Sequence, residues 1–350
     1  MTHDPVELTR DLVAIPSVSD SVGEGQVLEV LAARLDDRYV VRAASDHRGL
    51  RAVAVVPREV TSPLLVFSGH ADVVPVGDES TWTRHPFDPQ IVDGKLWGRG
   101  GSDMKAGLAA AVTALEAAPA GAQVGALFTV EEETGSKGAA LAGSLLEDVS
   151  TGMLLVAEPT DGAAIRGHKG VTWVRVSASG VAAHGSAPHL GSNAILTLAA
   201  VLERASAAPD RPWETMNIGM IAGGTAPNIV PAHAEAFIDM RTTERGAGLV
   251  DWWQQQDDLA AVDVLLDLRP VVLGSGDPVV EKLGLAVSDR IASYFTDAAV
   301  LVDTLACERV VLWGPGAMEQ AHRLDEWVSV QSILDTEAAY TDLIARWSTL

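Results

Sequence analysis

The chain holds one cysteine, Cys307, in 350 residues. No disulfide can form within it, and no metal can rest on a set of thiolates. Any metal must be held by histidines and carboxylates. Positive charge is scarce too, with 25 Lys and Arg against 47 Asp and Glu and a formal net charge of -22. Such a surface repels phosphate backbones and anionic lipid, which argues against nucleic acid or a membrane as partner. No apolar run is long enough to cross a bilayer. The opening Met1-Thr2-His3-Asp4-Pro5 has no basic segment leading into an apolar core, so the cytoplasm is the expected location.

Hydrophobic residues at 47% and charged ones at 21% match ordinary globular usage, so most of the chain should fold. Single cores stop growing at roughly 250 to 300 residues, so two domains are expected. Leu8, Leu12 and Ile15 recur at helical spacing, as do Val27, Leu28, Leu31 and Leu35 after a polar break from Ser17 to Gly25. Short apolar runs at Arg51 to Val56, Leu64 to Phe67, Val124 to Val130 and Met153 to Val156 read as strands, with an Ala-rich helix from Met104 to Ala118 among them. The alternation predicts an α/β fold whose catalytic domain has a mostly parallel sheet with helices on both faces. From Gly170 the texture changes to strand, helix, strand, strand, at Val171 to Ser177, Asn193 to Ala205, Met216 to Ile221 and Ala234 to Met240. A smaller α+β domain over 169–272, inserted between catalytic segments 1–168 and 273–350, is the expectation.

Polar residues of interest follow the strands of the first domain. In open α/β sheets the ligand crevice lies outside the carboxyl ends of the strands, where residues distant in sequence converge. In His70-Ala71-Asp72, one carboxylate beside a ligating imidazole can orient it, the role expected of Asp72. Gly98-Arg99-Gly100-Gly101-Ser102-Asp103-Met104-Lys105 lacks the P-loop ending and the Rossmann glycine spacing, and its glycines let backbone approach a metal bridged by Asp103. Glu131-Glu132-Glu133 places three acids after a strand, where repulsion must be relieved by a cation or a shared proton. Glu158 and His322 complete two histidines and three carboxylates with His70, Asp103 and Glu133, a mix suited to zinc, cobalt or manganese.

These motifs, with Ser68 through Pro75, Trp82 through Phe87, Asp93 through Gly100, Glu158-Pro159-Thr160, and Gly314-Pro315-Gly316 through Glu326, run in order over nearly the whole chain. They resemble the dizinc amidohydrolase family of acetylornithine deacetylase, succinyl-diaminopimelate desuccinylase, aminoacylase and glutamate carboxypeptidase. The resemblance implies two divalent metals, His70 and Glu158 on one, Glu133 and His322 on the other, Asp103 bridging, and Glu132 as general base. It implies that the inserted domain is a lid and dimerisation domain of a homodimer, with His184 reaching an active site across the dimer. Asn228, Arg241 and Gly316 match positions that contact substrate, Arg241 through a bidentate grip on a carboxylate. The family often has Asp where Glu131 stands, a change expected to matter little. Glu at position 158 fits deacylases and carboxypeptidases rather than aminopeptidases.

The expected reaction is hydrolysis of the amide bond of a small N-acyl amino acid, of deacetylase or desuccinylase type. A carboxypeptidase or dipeptidase acting on short peptides with the same site is the alternative. A non-catalytic metal-binding scaffold predicts loss of a ligand or the base, and none is missing. His3, His47, His85 and His233 read as surface residues and His189 as structural, while His168 and Lys169 stand at the domain junction with packing and substrate-facing roles both open.

Overall fold

The structure, a computed structural model, describes residues 4–35 and 37–350, so Met1, Thr2 and His3 of the opening segment lie outside the described residues. The chain divides into two compact units. The first comprises the residues up to Gly167, Val271–Ala292 and Thr296–Leu350; the second comprises His168–Pro270 with the short return Ser293–Phe295, which the sequence pattern does not announce.

In the first unit, α1 (Pro5–Val13) starts where the Asp4 side chain accepts from the amides of Val6 and Glu7, with Pro5 in a first turn that needs no amide. α2 (Gly23–Leu35) buries Val27, Leu28, Leu31 and Leu35 on one stripe. Then follow the hairpin β1 (Tyr39–Asp46) and β2 (Gly49–Pro57), β3 (Leu64–His70), α3 (Ala106–Ala117), β4 (Val124–Thr129), α4 (Lys137–Ala142) and β5 (Thr151–Val156).

The second unit runs β6 (Gly170–Ser179), α5 (Ala194–Ala207), β7 (Thr215–Gly223), β8 (His233–Thr242), α6 (Leu249–Gln254) and β9 (Ala261–Leu268). Its sheet has the order β7-β8-β6-β9, antiparallel throughout. Val174, Val176, Ala236 and Ile238 pack beneath Leu198, Val201 and Trp253 as its own core. β9 was not expected from the sequence: Asp263 and Asp267 interrupt it, and Val264 and Leu265 are exposed. As an edge strand it is paired on one side alone, so the alternation that betrays a half-buried strand is diluted.

The chain returns to the first unit and adds β10 (Val310–Leu312) and α7 (Val330–Trp347). The completed sheet has the order β1-β2-β4-β3-β5-β10. β4, β3, β5 and β10 are parallel, while β1 and β2 form an antiparallel margin. The expected α/β architecture, mostly parallel and covered by helices, is the one observed; β1, another edge strand, is the addition. Every residue of β3 is buried, as a strand covered on both faces requires. Phe67 of β3 meets Tyr340 of α7 at 5.0 Å between ring centroids, beside Leu108 and Leu343 in one core. No helix among the described residues is long and apolar enough to cross a membrane.

Close approach of α3 to the end of β5 depends on Gly107, where a Cβ would lie 2.0 Å from the carbonyl oxygen of Ala157. Backbone cannot yield as a side-chain tip can. Gly107→Ala is expected to cost about 3 kcal/mol, the upper range for overpacking, read as a lower urea midpoint; an unchanged midpoint would mean that this approach is not needed.

Candidate metal centre

The parallel strands bring their carboxyl ends to one edge, and the acids and histidines singled out above sit there. His70 closes β3, Glu131 to Glu133 follow β4, and Glu158 follows β5. Asp103 arrives from the glycine-rich turn before α3, and His322 from the segment after β10, in a left-handed conformation with φ +63°. Buried Gly316 sits against the same turn: a Cβ there would lie 2.2 Å from the carbonyl oxygen of Ser102, and the Ser102 hydroxyl donates to Ala317 at 2.9 Å.

Asp103 joins two halves of the cluster. Its Oδ1 is 3.2 Å from Nε2 of His70, which is also 3.6 Å from Glu158. Its Oδ2 is 3.3 Å from Nε2 of His322, which is also 3.0 Å from Glu133. Ligand atoms of His70, Asp103 and Glu133 lie within 4.8 Å of one another. His70, Glu132 and Glu158 are almost wholly buried, whereas the His322 side chain is about half exposed at 54%. The cluster is thus closed below and open at one histidine.

Its electrostatics are those of a site short of positive charge. Burial pushes the carboxyls of Glu132 and Glu158 well above the usual range, reinforced by neighbouring acids. Burial, then Asp103, raises Glu133 as well. Hydrogen bonds to Asp103 and Glu133 push His322 up to about 10. At His70, burial opposes the charged form, but Glu158, Asp103 and Asp72 outweigh it and hold the imidazole well above its usual value. Like charges about 4 Å apart repel by about 4 kcal/mol at an effective dielectric near 20. Cations, or bound protons, are what make such a cluster tolerable. Imidazole and carboxylate donors at these separations fit zinc, cobalt or manganese.

Asp72 does more than orient one ring. The Nδ1 of His70 donates to the Asp72 backbone carbonyl at 3.0 Å, with the carboxylate Oδ1 at 3.4 Å. The carboxylate accepts from the amides of Glu132 at 3.1 Å and Glu133 at 3.3 Å and from the Ser19 hydroxyl at 2.9 Å. One buried side chain therefore ties the His70 strand end to the acid loop.

The three residues of the second unit divide into two places. The turn carrying His184 continues the β6–β8 ladder beyond the strands, and the Gly185 amide donates to the Asn228 carbonyl at 2.7 Å. His184 and Asn228 are neighbours and both exposed. The Ser186 amide donates to Nδ1 of His184 at 3.2 Å, which leaves the ring proton of a neutral imidazole on Nε2. Arg241 is at the other end of β8; from His233 to Arg241 the strand advances about 26 Å at ~3.3 Å per residue. Its Nε and Nη2 donate to Asp239 at 2.7 and 2.9 Å. Nη1 has no hydrogen-bond partner among the described residues.

Sequence reasoning passed over three supports. Glu131 points away from the cluster and pairs with Arg48 at 2.7 Å and Arg51 at 2.8 Å. Asp297, fully covered, accepts from the Thr129 hydroxyl at the end of β4; burial raises its carboxyl to about 6. Glu326 accepts from the amides of Gly100, Ser102 and Asp103 at 2.9, 2.8 and 3.1 Å and from Arg99 at 2.7 Å. It is brought there because Trp327 pairs with Trp97 in the next residue pair of a small sheet. The signal available was an acid flanking the His322 motif, but no local pattern names its partners. Glu326→Gln is expected to weaken zinc binding about tenfold, the low end for residues that orient ligands, measured by chelator competition. Unchanged affinity would mean that the Asp103 turn holds its shape alone.

The profile of Peptidase family M20/M25/M40 matches residues 66–346. A succinyl-diaminopimelate desuccinylase of Cereibacter sphaeroides is 34% identical over 278 residues, covering 73% of each chain. Among solved structures, a tripeptidase of Staphylococcus aureus superposes with TM-score 0.80 at 21% identity, over 99% of this chain and 98% of that one. An M20 family metallo-carboxypeptidase of Sulfolobus solfataricus does so with TM-score 0.79 at 16% identity, over 100% of each. With donors for metal gathered at the carboxyl edge of a sheet shared with these structures, and a family profile spanning most of its length, the chain belongs to Peptidase family M20/M25/M40 and is a metal-dependent hydrolase of amide bonds.

Proposed function

We propose that the protein hydrolyses the amide bond of a small N-acyl amino acid, of desuccinylase or deacetylase type, at a pair of divalent metals. The observation that carries this reading is the split of the donor cluster at Asp103, Oδ1 toward His70 and Glu158, Oδ2 toward His322 and Glu133. His70 and Glu158 would hold one cation, His322 and Glu133 the other, with Asp103 shared; zinc is the first choice and cobalt or manganese are alternatives. Bound there, two cations supply Lewis acidity toward a water and the amide carbonyl.

Glu132 is the base in this reading. It is buried, held by its amide to Asp72, and biased toward accepting a proton by burial and neighbouring acids. It takes a proton from the attacking water as the new carbon–oxygen bond forms, then passes it to the nitrogen as the carbon–nitrogen bond breaks. The products are a carboxylate and a free amine. The Nε2 proton of His184 suits a donor to the developing oxyanion. Nη1 of Arg241 suits one oxygen of a substrate carboxylate.

His184 and Arg241 stand too far apart for one small substrate to touch both from a single copy of the second unit. A homodimer removes the difficulty, with His184 and Asn228 arriving from the partner copy. The outer strand β7 supports this: among the described residues it is paired on one side alone, and it carries exposed Met220 at 64% and Ile221 at 57%. The similarity to a desuccinylase favours acyl-amino-acid substrates over peptides, and a cytoplasmic location accords with such small metabolites.

Two measurements test the reading. Glu132→Gln is expected to keep its metal and lose at least about a thousandfold in turnover on N-succinyl-diaminopimelate, acetylornithine, acetyl-lysine, an acyl-glutamine or a dipeptide, whichever the wild type cleaves. Full metal with normal turnover would remove Glu132 as base, and a strict need for a free amine would favour a dipeptidase. For the dimer, Glu132→Gln and His184→Asn chains, each inactive alone, should recover about a quarter of wild-type activity when co-expressed in equal amounts. No recovery would place His184 in its own chain's site.

A further inference from the structure

The acid loop after β4 turns sharply. Glu131 has φ +60°, a left-handed conformation that side chains of this kind seldom adopt. Its carboxylate leaves the cluster and is 1% exposed. There it meets Nη1 and Nη2 of Arg48 at 2.7 and 3.2 Å and Nη2 of Arg51 at 2.8 Å. Arg51 is itself 1% exposed and reaches the fully buried Glu24 of α2 at 3.1 Å. Arg48, in the β1–β2 turn, also holds Asp46 and Asp20, each at 2.9 Å. Residue 131 is thus fixed by a chain of ion pairs running through three elements, α2, the β1–β2 turn and β2.

The next two residues, Glu132 and Glu133, turn back toward the cluster, their amides donating to Asp72 at 3.1 and 3.3 Å. Gly135 and Ser136 close the loop by donating to the Glu132 carbonyl at 2.9 and 3.1 Å. Asp72 therefore fixes the loop on its inner side and the arginines on its outer side. Without the outer hold, the turn rests on Asp72 and on backbone bonds, among them that from the Lys137 amide to the Glu131 carbonyl at 3.3 Å; an exit relaxed to the extended form would send adjacent side chains to opposite faces. Glu132 and Glu133 could not then both enter the cluster.

We propose that Glu131, gripped by Arg48 and Arg51, is a positioning residue that imposes the turn placing Glu132 and Glu133 together in the metal cluster. The inference rests on the roles given above to Glu132 and Glu133. The sequence expectation concerned only the change from Asp to Glu at this position; the proposal gives the acid there a role.

The test uses the full-length protein loaded with cobalt, whose visible absorption reports the ligand field. Glu131→Gln keeps length and loses charge, Glu131→Gly relieves the left-handed backbone but removes the grip, and Arg48→Met removes the more exposed arginine and leaves the buried Arg51 pair. Both Glu131 variants are expected to weaken the looser of the two cobalt sites and to lower kcat by about tenfold or more, with KM within about threefold, and to alter the cobalt spectrum. Arg48→Met should shift the same quantities in the same direction, by about threefold. Wild-type cobalt affinity and kcat in Glu131→Gln, even with a lower melting temperature, would reduce the ion pairs to a structural brace and overturn the proposal. So would wild-type values in Glu131→Gly, since backbone conformation alone would then suffice. If neither Glu131 variant folds, Arg48→Met decides, and unchanged affinity and kcat overturn it. An inactive wild type would defeat the functional reading instead, while the cobalt comparison still reports on the grip.

Discussion

Carboxylates packed about two imidazoles at the edge of a parallel sheet are the constraint on which the rest of the first unit depends. Asp72, Asp103, Glu132, Glu133 and Glu158 are all within the reach of His70 or its immediate neighbours, and most are buried. At an effective dielectric near 20 each close pair of like charges costs several kcal/mol, of the same order as the whole stability of a domain. A protein keeps such an arrangement where a cation offsets it. The depression of Asp103 by its two histidine partners, against burial, and the elevation of Glu132 and Glu158 describe one anionic field from its two sides.

Holding that field in place falls to hydrogen bonds between the segments that carry it. Asp72 couples the end of β3 to the loop after β4. Glu326 gathers the amides of the turn that carries Asp103. Lys105 lies fully buried beside that turn and donates to the carbonyls of Leu12 and Ile15, fastening it to the end of α1. Each is an ionisable group inside the protein whose removal would leave unpaired partners behind, and for that reason each is worth more to the geometry than an exposed ion pair. The arginine grip on Glu131 belongs to the same class.

The second unit has a different logic. Its core is an ordinary helix-on-sheet contact around Trp253, and its functional candidates are on its rims. Because β8 is long, His184 and Asn228, beyond one end of it, stand well apart from Arg241 at the other.

The sequence by itself determined a good deal here. Spacing of Leu and Val gave α1, α2 and the buried strands, since a strand covered on both faces must be apolar throughout. Placement of His70, Glu132, Glu133 and Glu158 just past apolar runs put them at strand ends, and parallel pairing carries strand ends to a common edge. Edge strands β1 and β9 escaped because half-exposed positions tolerate polar residues and blur the period. Only the tertiary structure decided which partners the supports take. Glu326 meets Gly100 across 226 positions of sequence and Glu131 meets Arg48 across 83. It also decided that Asp239, close to Arg241 on the same strand, already occupies two of its donors. Composition and periodicity report which side chains leave water; they carry no record of which charged groups meet once those side chains have done so, because that depends on how strands far apart in the chain are set side by side.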